Sequence, residues 1–91
     1  MVQGRAEEAE PLLREALSIR IGVYGEEHVE TAEIRLALGR CLTMLGAFDE
    51  AESLLKSSRA TLETNKHTKA QEVHLALREL YQSRIMKRRG S

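Results

Sequence analysis

Residues 4–17, GRAEEAEPLLREAL, recur at residues 46–59 as GAFDEAESLLKSSR. The two stretches share Gly, Glu, Ala, Glu, Leu and Leu in the same order, at a spacing of 42 residues. A second pair, LALGRCL at 36–42 and LALRELY at 75–81, recurs at a spacing of 39. Self-similarity at a fixed period of this length is the signature of repeat architectures. We expect the three-residue difference between the spacings to lie in a connecting loop.

Apolar residues within the repeat recur at helical spacing. Ala9, Leu12, Leu13, Ala16 and Leu17 fall at i, i+3, i+4, i+7 and i+8, which is one face of an α-helix. No segment shows the polar–apolar alternation of a half-buried strand. The sequence therefore predicts one all-α domain over residues 1–91, made of antiparallel helix hairpins. Its helices, about four in number, are expected at residues 6–24, 30–45, 49–64 and 68–87.

Local signals suggest how these helices begin and end. Gly25, Gly46 and Asn65 are predicted to end the first three helices in the left-handed conformation. Thr68 opens a capping box for the fourth helix. Pro11 comes early in the first helix, so a loose first turn is expected there.

Leucines and the single cysteine supply the expected core. Cys41 lies in an apolar helical pattern, where a buried cysteine behaves as a small hydrophobe, and no neighbouring His or cluster of cations indicates an activated thiolate. The leucines predicted to be buried are Leu13, Leu38, Leu42, Leu55 and Leu77.

Taken together, these stretches resemble the tetratricopeptide repeat, in the longer form of about 42 residues found in kinesin light chains. The family's helix A carries Leu followed by a small residue, here Leu38 and Gly39. Its helix B carries pairs of small packing residues, here Ala9 with Ala16 and Ala51 with Ser58. In this register the chain reads B–A–B–A, and the first helix B lacks a preceding helix A.

The resemblance implies an α-solenoid fragment whose A helices line a concave groove for a peptide or a partner domain. It therefore implies a non-catalytic protein–protein interaction module, a scaffold or adaptor. Asparagines that commonly grip a peptide backbone in such repeats are replaced here by leucine and alanine, so the expected groove has an apolar floor rimmed by charge. The register places these residues in the groove: Glu33, Leu36, Arg40, Thr43, Glu72, Leu75, Glu79 and Gln82.

The last helix departs from the family pattern. Arg78 stands where a Gly or Ala should allow the next helix to pack, and Ile85 stands where the turn glycine should be. These departures suggest a terminal cap, which solenoids need to cover their last apolar face. The alternative function is thus a structural segment that caps a longer solenoid or mediates self-association.

The residue inventory argues against an enzyme or a metal site. Asp49 is the only aspartate, and no Gly-rich phosphate loop, GxSxG elbow or HExxH motif is present. His67 and His74 would share a helical face only if the helix reached back to His67. His28 suits a capping or loop-packing role better than a metal-binding one. We expect no catalytic residue, cofactor or metal.

Charge and hydropathy restrict the partner. Four cations, Arg84, Lys87, Arg88 and Arg89, lie near the C-terminus without interleaved aromatic residues, which argues against nucleic acid. No apolar stretch approaches the ~20 residues of a membrane span. A single cysteine cannot form an internal disulfide, which favours the cytoplasm.

The chain is also predicted to self-associate through its first helix. Ala9, Leu12, Ala16 and Ile19 form an apolar stripe that the missing helix A would cover. Residues 1–53 carry five Lys or Arg against eleven Asp or Glu, and residues 54–91 carry nine against three. A closed two-fold homodimer is favoured, and head-to-tail stacking is the alternative.

Overall fold

Four α-helices, joined by connections of two to five residues, make up the fold. The computed structural model describes residues 2–90, and the side chains of residues 4–89. No strand occurs among residues 2–90, so the all-α prediction is confirmed. The helices are α1 (Val2–Tyr24), α2 (Val29–Leu45), α3 (Phe48–Thr64) and α4 (Ala70–Gly90).

Helix α1 starts earlier than the sequence predicted. It begins at Val2, so Pro11 lies inside the helix and not in its first turn. A proline within a helix removes one backbone hydrogen bond, to the carbonyl four residues before it, here that of Glu7. The surrounding Glu, Ala and Leu residues are strong helix formers, and the helix continues through the proline.

Two glycines end the first two helices as predicted. Gly25 and Gly46 have φ angles of 93° and 83°, in the left-handed region that suits glycine. After α2, the N–H of Ala47 donates to the carbonyl of Leu42 at 2.9 Å. This bond satisfies one of the carbonyls that a helix end leaves unpaired.

Helix α3 ends at Thr64, and the left-handed residue that follows it lies one position later than predicted. Lys66, with φ of 52°, adopts the left-handed conformation, whereas Asn65 has φ of −91°. Asn65 instead donates its side-chain amide to the carbonyl of Thr61 at 2.8 Å. The chain reverses at Lys66 because the N–H of His67 reaches the carbonyl of Leu62 at 2.8 Å.

A histidine precedes each A helix and accepts a backbone N–H there. The Nδ1 atom of His28 accepts the N–H of Glu30 at 3.0 Å, which confirms a capping role for His28. The Nδ1 atom of His67 accepts the N–H of Lys69 at 3.1 Å, and α4 begins at Ala70, two residues after the predicted start. His28 and His67 are 39 residues apart, as the repeat requires. Thr68, the predicted cap, lies in the turn before α4, and the equivalence of His28 and His67 was not predicted.

Helix α2 is central and packs against α1, α3 and α4, while α4 packs against α3 and α2. Four of the five predicted core leucines are buried: Leu38, Leu42, Leu55 and Leu77. Leu13 is only half-buried, because α1 has a neighbour on one side alone. Within the core, the hydroxyl of Ser58 donates to the carbonyl of Ala32 at 2.7 Å, which ties α3 to α2.

Cys41 belongs to this core. Its side chain is buried, and its Sγ donates to the carbonyl of Ala6 in α1 at 3.1 Å. Burial raises the pKa of the Cys41 thiol, and the negative charge of Glu10 raises it further. The thiol is therefore protonated at neutral pH, as expected of a structural cysteine.

Gly39 marks the closest approach of two helices. A Cβ built on Gly39 would lie 2.7 Å from two side-chain carbons of Leu55 in α3. Leu55 is fully buried, so it has little room to move away. The small residue of the Leu38-Gly39 pair thus allows α2 and α3 to touch.

We expect Gly39→Ala to destabilise the fold by ~1–3 kcal/mol, because the added methyl group overpacks the contact with Leu55. Gly22→Ala is the matched control, since its added Cβ would meet no atom within 4 Å. Because alanine has a higher helix propensity than glycine, Gly22→Ala should stabilise the protein by ~0.5–1 kcal/mol. Thermal unfolding followed by circular dichroism measures both, and equal melting temperatures for the two variants would contradict the close contact.

We expect Cys41 to resist iodoacetamide in the folded protein at neutral pH and to react readily in denaturant, because the thiolate is the reactive species. Mass spectrometry of the alkylated chain measures the difference. Rapid alkylation of the native protein would show that Cys41 is accessible and ionised.

Candidate functional site

A cleft of about 370 Å³ lies between the A helices α2 and α4. It brings together three residues that the sequence predicted for a groove, Arg40, Thr43 and Glu79. Two more residues, Met44 and Ser83, line it without having been predicted. Each lies four positions after a predicted residue, so helical spacing from Arg40 and Glu79 could have found them.

An ion pair bridges the cleft. The Nη2 atom of Arg40 lies 3.5 Å from Oε1 of Glu79, and both side chains are about half exposed. An exposed pair of this kind contributes only ~0–1 kcal/mol. The two side chains can therefore give up this ion pair and contact the charges of a ligand instead, at little cost in stability.

Leu36 and Thr43 do not present the surface that was predicted for them. Leu36 is 5% exposed and belongs to the core, and Thr43 is 9% exposed. The hydroxyl of Thr43 donates to the carbonyl of Gly39 at 2.9 Å, within its own helix. Neither side chain forms an apolar floor, and the exposed apolar side chain in the cleft lining is Met44.

Leu36 and Leu75 show how position in the array decides exposure. They are equivalent residues, 39 positions apart, yet Leu75 is 54% exposed. Helix α2 is followed by α3 and α4, which pack against it, whereas no described helix follows α4. The same residue type is therefore core in one repeat and surface in the next.

The other predicted groove residues lie along the same two helices, outside the cleft. Glu33 is half-buried, with its carboxylate 3.3 Å from Nε2 of His67 and 3.9 Å from Nζ of Lys69. These contacts tie α2 to the connection between α3 and α4. Glu72 and Gln82 are exposed on α4.

A second bridge between repeats joins α1 to α3. Arg14 of α1 donates to both carboxylate oxygens of Glu50 in α3, at 2.7 and 2.9 Å, and also to Glu10 at 2.9 Å. The guanidinium lowers the pKa of Glu50. Beside this bridge lies a cleft of about 250 Å³ whose lining includes the buried Leu38.

The described part of the chain holds no cluster of three or more His, Cys, Asp or Glu side chains that suits a metal ion. Helix α4 does not reach back to His67, so His67 and His74 do not share a helical face. His74 lies 2.7 Å from the carboxylate of Glu63. Among residues 2–90, no helix combines the length and apolar character needed to cross a membrane.

Comparison with known proteins agrees with this architecture. Searches of curated proteins and of solved structures gave no match. The profile of the tetratricopeptide repeat family matches residues 1–64, which comprise α1, α2 and α3. That match covers more than half of the chain, and the helix pairs and the Leu38-Gly39 contact agree with it. The chain belongs to the tetratricopeptide repeat family.

Proposed function

We propose that this chain is a non-catalytic protein–protein interaction module, a scaffold or adaptor that binds a peptide or partner domain in the cleft between α2 and α4. The observation that carries the proposal is the lining of that cleft. Arg40, Met44, Glu79 and Ser83 combine flexible apolar surface with opposite charges on the A helices of a tetratricopeptide repeat. A single buried thiol, Cys41, suits the reducing cytoplasm as its compartment.

The chemistry of the lining suits a protein ligand. Met44 is half exposed, and a methionine side chain adapts its shape to different apolar partners. Arg40 and Glu79 supply one charge of each sign at the rim, where charged residues select partners and set association rates. The cleft thus offers an apolar contact flanked by exchangeable ion pairs.

A peptide-display selection against the intact chain would identify ligands for this test. We expect Arg40→Glu to weaken the selected peptides about tenfold, because it places two carboxylates opposite each other at the rim. Arg78→Glu is the matched control, an equal charge change at an exposed position of α4 outside the cleft lining. The free energy of unfolding of both variants should lie within ~0.5 kcal/mol of that of the parent chain. Leu36 is unsuitable for this test because it is buried.

Fluorescence polarisation with the selected peptides measures the affinities. If Arg40→Glu and Arg78→Glu bind the peptides equally well, the interaction lies outside the cleft. If no peptide is selected at all, the proposed module function fails for this chain.

The alternative function is to cap a longer solenoid or to self-associate, and the exposed face of α1 favours self-association. Leu12, Ile19 and Val23 are 68%, 58% and 69% exposed and lie along one side of the helix. Ala9 and Ala16, which complete the predicted stripe, are half-buried. Exposed apolar surface of this extent is costly in water, so a covering partner would stabilise the protein.

Helices α2 and α4 differ in how closely a following helix can pack against them. Gly39 admits α3 against α2, whereas its equivalent on α4 is Arg78, whose long side chain obstructs a similarly close contact. This argues against head-to-tail stacking through α4. A two-fold homodimer through α1 instead places the small Ala16 near the crossing point, where two helices can approach closely.

We expect sedimentation at micromolar concentration to show a dimer of the parent chain, and Leu12→Glu to shift it to monomer by burying a charge in the interface. Leu75→Glu is the control, since Leu75 is an equally apolar exposed residue on the other end helix. A parent chain that sediments as a monomer, or a dimer that Leu75→Glu disrupts and Leu12→Glu does not, would contradict an interface on α1.

A further inference from the structure

An apolar cleft of about 250 Å³ lies between α1 and α3, which each pack against α2 and meet each other through side chains. The floor of this cleft is Leu38 of α2, which is 1% exposed. Its walls include Leu17 and Ile21 of α1 and Leu54 of α3, all of them half-buried. A cavity of about 150 Å³ with such a lining already holds benzene, so this cleft has room for an aliphatic side chain.

A smaller cavity of about 130 Å³ lies at the other end of α3, beside the connection that follows α1. Its polar lining residues are Glu27, Thr61, Thr64 and Asn65. Asn65 donates its side-chain amide to the carbonyl of Thr61, which leaves its side-chain oxygen free to accept. The carboxylate of Glu27 is exposed and makes no hydrogen bond or ion pair with any described residue. These acceptors suit an ammonium or guanidinium group, which carries only donors.

The two cavities follow one another along a single face of α3. Glu50 and Leu54 line the first, and Thr61 and Thr64 line the second. Their positions, at i, i+4, i+11 and i+14, form one row along a helix. Because a helix rises ~1.5 Å per residue, Leu54 and Thr61 are about 10 Å apart along it. The two cavities, with these four residues as their shared wall, are called the α1–α3 groove.

The charge of the α1–α3 groove is negative. Arg14 is the one cation in its lining. It donates to both carboxylate oxygens of Glu50, at 2.7 and 2.9 Å, and to Glu10 at 2.9 Å, so its charge is compensated within the chain. With Glu27, three carboxylates face this single guanidinium. The groove therefore attracts a cation and repels an acidic peptide or a nucleic acid.

An extended peptide matches the distance between the two cavities. In the polyproline II conformation a chain rises ~3.1 Å per residue with three residues per turn. Side chains three positions apart thus lie on the same face of the peptide, about 9 Å from each other. This separation agrees with the distance between Leu54 and Thr61.

We propose that the α1–α3 groove is a second protein-binding surface, which binds an extended segment of a partner protein. An aliphatic side chain of that segment occupies the apolar cleft, and an arginine or lysine three positions away contacts Glu27. The α1–α3 groove shares no lining residue with the cleft between α2 and α4. The two surfaces can therefore bind different segments at the same time.

Three synthetic peptides test this match. RSSLSSR places an arginine three positions from the leucine in both chain directions, SSRLRSS has the same composition with the arginines adjacent to the leucine, and QSSLSSQ lacks the charges. We expect the intact chain to bind RSSLSSR about fivefold more tightly than QSSLSSQ at low salt, and less so as salt screens the exposed carboxylate. RSSLSSR should also bind about threefold more tightly than SSRLRSS, because adjacent arginines do not point along the groove.

Amide chemical shifts of the ¹⁵N-labelled chain, followed by NMR during each titration, measure both affinity and location. Glu27→Gln should remove the preference for RSSLSSR over QSSLSSQ. Glu15→Gln is the matched control, the same change at an exposed position of α1 outside both linings. Ile21→Gln should weaken both peptides, whereas Ile85→Gln, at a half-exposed position of α4, should weaken neither. Circular dichroism checks that each variant is folded.

A preference for RSSLSSR that Glu27→Gln removes and Glu15→Gln retains supports the proposal. Equal binding of RSSLSSR and SSRLRSS, equal losses in those two variants, shifts confined to the cleft between α2 and α4, or no binding at all would overturn it. A change in the sedimentation of the chain caused by Ile21→Gln would also overturn it, since a second copy would then occupy the groove. The cleft between α2 and α4 is tested separately by Arg40→Glu with display-selected peptides, so failure of the groove leaves that result intact.

Discussion

The contact between Gly39 of α2 and Leu55 of α3 is the constraint on which the remaining packing depends. Because no Cβ separates the two helices there, the buried side chain of Leu55 lies directly on the backbone of α2. Helix α2 is the only helix that contacts all three others, so its distance from α3 also sets where α4 can lie. Ser58 of α3 stabilises the same interface through its hydrogen bond to the carbonyl of Ala32.

Ion pairs between repeats help to orient the packed helices relative to one another. Arg14 to Glu50 joins the two B helices, and Arg40 to Glu79 joins the two A helices. All four side chains are substantially exposed, so each pair contributes little to stability in water. Each pair lies in the lining of a cleft, Arg14 and Glu50 in the one beside α1, and Arg40 and Glu79 in the one between α2 and α4.

Much of the fold could be predicted for two reasons. The apolar residues recur at helical spacing, and the two repeats must form equivalent helices. The predictions that were wrong concern helix ends, where a local sequence pattern is compatible with more than one structure. Asn65 is a common left-handed residue, yet Lys66 reverses the chain, because a hydrogen bond from His67 fixes the geometry. Thr68 opens a plausible capping box, yet α4 begins at Ala70, and His67 accepts the N–H of Lys69 in the turn before it. For the groove, Arg40, Thr43 and Glu79 lie at one cleft, but the repeat register could not tell which of the predicted residues are covered by neighbouring helices.

By itself, the sequence determined the class of the fold, the repeat register and the small residues where helices touch, because these properties follow from spacing along one chain. Tertiary structure alone decided exposure and the shape of the cavities. Leu36 and Leu75 have the same sequence context, and only the helices that follow one of them make it core. The approach of Lys87 to Gly46, residues 41 positions apart, likewise required α4 to continue past Ile85. Such a juxtaposition depends on how whole helices pack, which no local pattern of residues encodes.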